Sequence, residues 1–137
     1  MPPTDRFVAE TTFRVRYAEV DAMHIVHHSR YVIYFEEGRS DFARQCGRPY
    51  SGFEEAGYYL LVSEIGARYH KPARYEDQIT LRTWISEMKS RGITFNYEIV
   101  NMDSDELLVN GFSKHICATH GGKIARIPEA WRDWGKA

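Results

Sequence analysis

RYAEVDAMHIVHHSRYVIYFEEGR, residues 16–39, sets Glu19, Asp21 and three histidines (His24, His27, His28) directly ahead of a helix. Its second half repeats Tyr31, Tyr34, Phe35 and Gly38, continued by Phe42 and Cys46. That spacing predicts an amphipathic helix over 30–46, with Arg30, Glu37, Asp41 and Arg44 on its wet face. Ser29 stands at the N-cap position. Gly47 and Pro49 end the helix. Gly38 inside it costs ~1 kcal/mol relative to Ala, which implies close packing against a sheet. The first half, 18–28, has no clean period and reads as a loop.

Outward from this stretch the chain is strand-like. Residues 7–17 alternate, with Phe7, Ala9, Thr11, Phe13, Val15 and Tyr17 on one face,. Residues 50–57 predict a short helix or turn. Strands follow over 58–70, 78–88, 93–100 and 107–119, separated by HKPARYED, KSRG and MDSDE,. The pattern over 93–100 is the cleanest, with Ile93, Phe95, Tyr97 and Ile99 on one face. Residues 107–119 are apolar on both faces, as in a doubly covered strand. Pro128 opens a short C-terminal helix carrying Trp131 and Trp134. Short turns mean antiparallel neighbours. One long helix must then lie on an antiparallel sheet of about five strands, an α+β arrangement without βαβ alternation. One helix cannot cover both faces of such a sheet, and its edges need protection. A dimer or higher oligomer is therefore expected.

Length and composition narrow the function. A chain of 137 residues favours one domain, 1–137, with one sizeable core. With 18 Lys+Arg against 19 Asp+Glu, the basic excess of a general nucleic-acid binder is missing. No apolar run approaches the ~20 residues that span a bilayer. MPPTDRF lacks the layout of a signal peptide. Cys46 and Cys117 form no CxxC motif, and a reduced, cytoplasmic setting fits. No internal repeat or linker is evident.

The chemistry lies in the opening stretch. A helix beginning near Ser29 leaves the backbone N–H groups around His28 to Val32 unpaired. Such an end attracts negative charge and can serve as an oxyanion hole. Asp21 lies seven residues before His28, on a loop able to fold back over that end. A carboxylate beside polarising amides suits attack on a carbonyl, directly or through water. There is no GxSxG. On the residues alone, a turn-capping Asp21 and a catalytic one stand level. The histidines with Asp21 also offer metal-ligand types, although no HExxH-like helical pair exists.

The run RYAEVDAMHIVHHSRYVIYFEEGR, with HKPARYED, KSRG and NYEIVN, resembles the 4-hydroxybenzoyl-CoA thioesterase family, in its YbgC-like, Tol-Pal-associated branch. The resemblance covers nearly the whole chain. It implies the hotdog fold, a long helix wrapped by an antiparallel sheet, and hydrolysis of a fatty or aromatic acyl-CoA without a metal or redox cofactor. It places the catalytic carboxylate on Asp21, the polarising amide and a histidine side chain at His28, and a strand tyrosine at Tyr17. The Lys89-Ser90-Arg91 turn resembles the region that meets the coenzyme A phosphates. Sites between the subunits of a homodimer or homotetramer are implied as well. His24 departs from the family, which usually has glycine there, a residue suited to positive φ. A reshaped loop or a narrowed pocket mouth is the expected consequence. A non-catalytic acyl-CoA- or partner-binding module, and a dehydratase or hydratase of the same fold, are the alternatives.

Overall fold

The helix expected over 30–46 spans Arg30–Gln45 (α1) in the computed structural model, which describes residues 2–136. Tyr31, Tyr34, Phe35, Gly38 and Phe42 face inward as their spacing requires, joined by Ala43 and, unexpectedly, Arg39. Ser29 is not a side-chain cap. Its backbone is already helical (φ −66°, ψ −23°), and its hydroxyl is hydrogen-bonded to His27 Nδ1 at 2.8 Å. The Arg30 N–H donates to the His27 carbonyl, so the turn begins earlier than capping chemistry suggests.

Five antiparallel strands wrap this helix: β1 (Ala9–Arg14), β2 (Tyr58–Tyr69), β3 (Gln78–Met88), β4 (Gly92–Asn101) and β5 (Leu107–Thr119), in the order β1-β3-β4-β5-β2. A short helix, α2 (Tyr50–Glu55), precedes β2. The alternation of β4 puts Ile93, Phe95, Tyr97 and Ile99 at 2% exposure or less. Phe35 of α1 stacks on Tyr97, with centroids 4.3 Å apart and planes 7° from parallel. Phe42 meets Phe95 and Trp134 edge-on.

Two elements differ from expectation. The first strand stops at Arg14, and Tyr17–Glu19 form a 3₁₀ turn. The Glu19 carboxylate accepts the Arg16 N–H at 2.9 Å, which curls the chain before the alternation can run out. Tyr17 therefore points outward, 69% exposed. The C-terminal helix is a single 3₁₀ turn, Glu129–Trp131. It is too short to be held by its own hydrogen bonds. Its tryptophans hold it, Trp131 and Trp134 packing edge-on at 5.2 Å over the end of the core.

Gly38 is explained by contact. A Cβ built there would lie 2.5 Å from Thr83 Oγ1 and 2.8 Å from Leu81 Cδ2 on β3. Gly38→Ala should therefore destabilise despite its helix-propensity gain of ~1 kcal/mol, because overpacking costs about 1–3 kcal/mol. The expected outcome is a lower thermal midpoint by calorimetry; a higher one would mean that α1 moves freely on β3.

At the far end of the sheet, among the described residues, β2 is hydrogen-bonded to a strand on one side only. It carries Tyr59, Leu61, Val62, Ile65 and Tyr69, each between 37% and 51% exposed.

Candidate active site

The loop from Tyr17 to Ser29 is built around its acidic residues. Glu19 is 6% exposed. Its carboxylate accepts from the Arg16 amide, from Arg16 Nη2 at 3.1 Å and from the Tyr34 hydroxyl of α1 at 3.0 Å. Its own carbonyl accepts the His27 N–H at 3.0 Å. Burial raises the Glu19 pKa, but these donors outweigh it and hold the group below the ordinary carboxylate value,. Burial and the neighbouring Glu19 charge push the Tyr34 hydroxyl upward. Glu19 is thus a buried anchor between loop and helix, which its sequence setting, near exposed Arg16 and half-buried Asp21, did not disclose.

Glu19→Ala should cost about 2–3 kcal/mol, since the buried Tyr34 hydroxyl and the Arg16 amide lose their acceptor. Chemical denaturation measures this. The group's folded pKa is depressed, so its stabilisation is present above the unfolded pKa. It is lost as pH falls through the folded value.

Beyond Glu19 the loop folds back on itself. Val20 bridges Val26 and Ile25 bridges Arg74. The Val26 N–H donates to the Ala73 carbonyl, so HKPARYED is the wall against which the loop is laid. Asp21 Oδ1 accepts the Met23 N–H at 2.8 Å, while the Asp21 carbonyl accepts the His24 N–H at 2.9 Å. The turn-capping role is therefore real, and it occupies one carboxylate oxygen. Among the described residues, Asp21 Oδ2 has no hydrogen-bond partner. His24 closes the turn at φ 62°, the left-handed conformation that suits glycine. His24 thus takes up the backbone conformation that a glycine would supply. The His24 side chain is exposed and does not line the cavity described next.

Asp21 and His28 meet at a cavity of about 320 Å³, walled by Ile25, Val26, Tyr31, Tyr69, Lys71 and Pro72. Tyr31 is buried, which pushes its hydroxyl pKa up. That hydroxyl accepts the Ala73 N–H at 3.1 Å, and the ring packs against Tyr69 at 5.4 Å. The Tyr69 hydroxyl donates to the His28 carbonyl at 3.4 Å. The His28 N–H has no acceptor among the described residues. A free amide at a helix start and a half-free carboxylate on one apolar cavity are the parts that acyl transfer uses. No three His, Cys, Asp or Glu side chains among the described residues converge as a metal site would require.

The remaining expected residues lie elsewhere. Tyr17 sits outside the cavity, edge-on to Tyr75 at 5.6 Å, and on a 3₁₀ turn rather than a strand. The Lys89-Ser90-Arg91 turn joins β3 to β4, and Lys89 is paired with Glu87 at 2.9 Å. Gly92 is level with Ile116 of β5, whereas Tyr69 is level with Val109. That separation is seven residues of strand, roughly 23 Å at ~3.3 Å per residue. Within one chain the turn and Asp21 stand at opposite ends of the sheet. Tyr69, Lys71 and Pro72 form a wall that sequence reasoning missed, although Lys71 and Pro72 lie in HKPARYED, a segment that carried the resemblance, and Tyr69 borders it.

Comparison with known proteins identifies the family. The thioesterase-like superfamily matches residues 15–135. "Putative acyl-CoA thioesterase YneP" of Bacillus subtilis is 33% identical over 131 residues, 95% of this chain and 94% of that protein. The acyl-CoA thioester hydrolase YbgC of Escherichia coli O157:H7 is 28% identical over 66% of this chain and 68% of its own. Among solved structures, DHNA-CoA thioesterase from Staphylococcus aureus superposes with a TM-score of 0.85 at 28% identity. It covers 93% of this chain and 85% of its own. With a five-stranded antiparallel sheet wrapped on one long helix and a match over almost its whole length, the chain belongs to the thioesterase-like superfamily and has the hotdog fold.

Proposed function

We propose that this chain hydrolyses a fatty or aromatic acyl-CoA thioester to the free acid and coenzyme A, with Asp21 as the reacting carboxylate. The observation that carries this reading is the shared cavity: the Asp21 side chain and the His28 residue with its unaccepted N–H both line it. Asp21 Oδ2, left over from the turn, either attacks the thioester carbonyl or takes a proton from the attacking water. The His28 N–H receives the developing oxyanion. The thiolate leaves, and water supplies the oxygen and proton that balance the products. Thioesters are already activated, so no metal or redox group is required by the chemistry. The apolar walls of Ile25, Val26 and Tyr31 suit an acyl group. The names of YneP, YbgC and DHNA-CoA thioesterase support the substrate class.

In this reading the working unit is a homodimer or homotetramer. The open edge of β2, with its row of exposed apolar residues, supports pairing with a second copy. Tyr17, outside the cavity lining though on the loop that carries Asp21, and the Lys89–Arg91 turn at the far end of the sheet then serve the outer parts of a substrate bound across two chains. Basic and hydroxyl groups at such a turn suit phosphate. The setting is cytoplasmic, where coenzyme A thioesters would meet the enzyme. Thiol release from a panel of short, long and aromatic acyl-CoAs tests the function. Turnover of at least one class is expected. Failure on every thioester, with binding retained, would leave a binding module instead.

A further inference from the structure

His27 sets the His28 amide apart from its neighbours. Of the four amides from His27 to Arg30, three are taken. The His27 N–H donates to the Glu19 carbonyl at 3.0 Å, and the Arg30 N–H to the His27 carbonyl at 2.9 Å. The Ser29 N–H donates to the His27 ring at Nδ1, 3.3 Å away. The fourth, the His28 N–H, has no acceptor among the described residues. The His27 carbonyl and the His28 N–H are opposite ends of one planar trans peptide unit. Arg30 pins the carbonyl end, so the N–H end is turned the other way. A bonded carbonyl also polarises its own N–H, making it a stronger donor. The Ser29 contact closes a ring through the His27 side chain and the His28 nitrogen, as an Asx turn does. Nδ1 accepts in this arrangement, so the proton of the neutral ring is on Nε2. The two bonds together fix the plane of the peptide that carries the free N–H.

We propose that His27 is a positioning residue for the oxyanion site: its ring and its carbonyl hold the Ser29 and Arg30 amides and so aim the His28 N–H at the thioester carbonyl. This rests on the hydrolytic reading of Asp21 and His28. A donor helps only when it lies ~2.7–3.1 Å from where the oxyanion forms, and a misplacement of about 1 Å costs about a hundredfold in rate. The role belongs to the neutral ring. Protonation converts Nδ1 from acceptor to donor. It then turns from the Ser29 N–H to the Ser29 hydroxyl, which lies 2.8 Å away. The new cation also lies against the His28 ring, with centroids 4.2 Å apart. The other titratable or charged groups around the ring are Asp21, Tyr31, Tyr69, His70 and Lys71 on the cavity wall, and Arg30, whose Nη2 meets the Ala18 carbonyl at 3.5 Å. The buried Glu19 carboxylate is turned to Arg16 and Tyr34. Among the described residues no carboxylate is ion-paired with His27, so nothing offsets the lost acceptor. Imidazole takes up a proton between about pH 8 and 5, and the site should weaken over that range.

Steady-state kinetics from about pH 8 to about pH 5.5, on the best-hydrolysed acyl-CoA, test it with His27→Leu and His27→Asn beside wild type. The His27 side chain is exposed, so both variants should melt close to wild type. Leucine offers no acceptor: at the upper pH it should lower kcat about thirtyfold and leave KM within about twofold. Asparagine accepts an i+2 amide through its own oxygen and does not titrate. It should keep kcat within about threefold and, unlike wild type, hold most of it in mild acid. Deuterium exchange of the Ser29 amide should quicken about tenfold in His27→Leu and little in His27→Asn. Wild-type kcat in His27→Leu overturns the proposal. So does His27→Asn as slow as His27→Leu, or a loss in acid that persists in His27→Asn, which would place that titration on another group. Each of these results leaves the hydrolytic reading standing. Failure of that reading shows differently, as a wild type that turns over no thioester, and it takes the positioning role with it.

Discussion

Asp21→Asn should lower kcat for acyl-CoA hydrolysis by about a thousandfold, within the range of losing a positioned acid–base or nucleophilic group. The substitution is nearly isosteric. An asparagine oxygen still accepts the Met23 N–H that Asp21 Oδ1 accepts at 2.8 Å, and Asn favours the same turn. The backbone bonds from Asp21 to Ile25 and from His24 to Asp21 do not involve the side chain. The fold should thus survive, with a thermal midpoint close to wild type and KM little changed. What disappears is the charge on the free oxygen. Full activity in this variant would refute the assigned mechanism; a large drop in melting temperature would show instead that the carboxylate's main task is the turn.

Acid should destabilise the protein through His115. In the folded chain burial, and then the charge of Arg39, lower its pKa from 6.5 to about 3. In the unfolded chain it titrates near its ordinary value. Between those two values the unfolded state binds the extra proton, so stability falls as pH falls. The slope is about 1.4 kcal/mol per pH unit, or ~3 kcal/mol lost by pH 4. Glu19 adds loss of the same sign at the acid end. His115→Gln should retain a hydrogen bond toward Ser113 and remove most of the slope between pH 6.5 and 4. It should cost about 1 kcal/mol at pH 7. Denaturant titrations at several pH values provide the comparison. An unchanged slope would place the acid sensitivity in other groups.

The helix and the four long strands were legible because their spacing is regular and their ends are marked by Gly, Pro and short polar turns. The start of β1 was legible to within two residues, and its end was not. Nothing in the alternation of Val15, Arg16 and Tyr17 announces that Glu19 will reach back to the Arg16 amide. Ser29 was misread for a related reason: a cap is defined by dihedral angles, and His27 competes for its hydroxyl. At the candidate site, Asp21 and His28 stood out by residue type and order. Tyr69 did not, because a tyrosine at a strand end reads as packing until the fold sets it beside the helix start. Arg39 escaped for the opposite reason. It follows two glutamates and a glycine on α1, where an arginine is ordinarily solvated. The preceding Gly38 permits a close approach of that turn of helix to β3, and Arg39 reaches Tyr97 and Ser113.

The one-sided pairing of β2 also bears on how the chain is made. A newly released copy presents a twelve-residue strand with unused backbone donors and acceptors on its outer edge and Leu61, Ile65 and Tyr69 in the open. Until something covers that edge, the folded monomer and the aggregation-prone species are the same molecule. Under the proposed pairing of β2 with a second copy, yield during expression should depend on how soon that copy arrives, rather than on the stability of the individual fold.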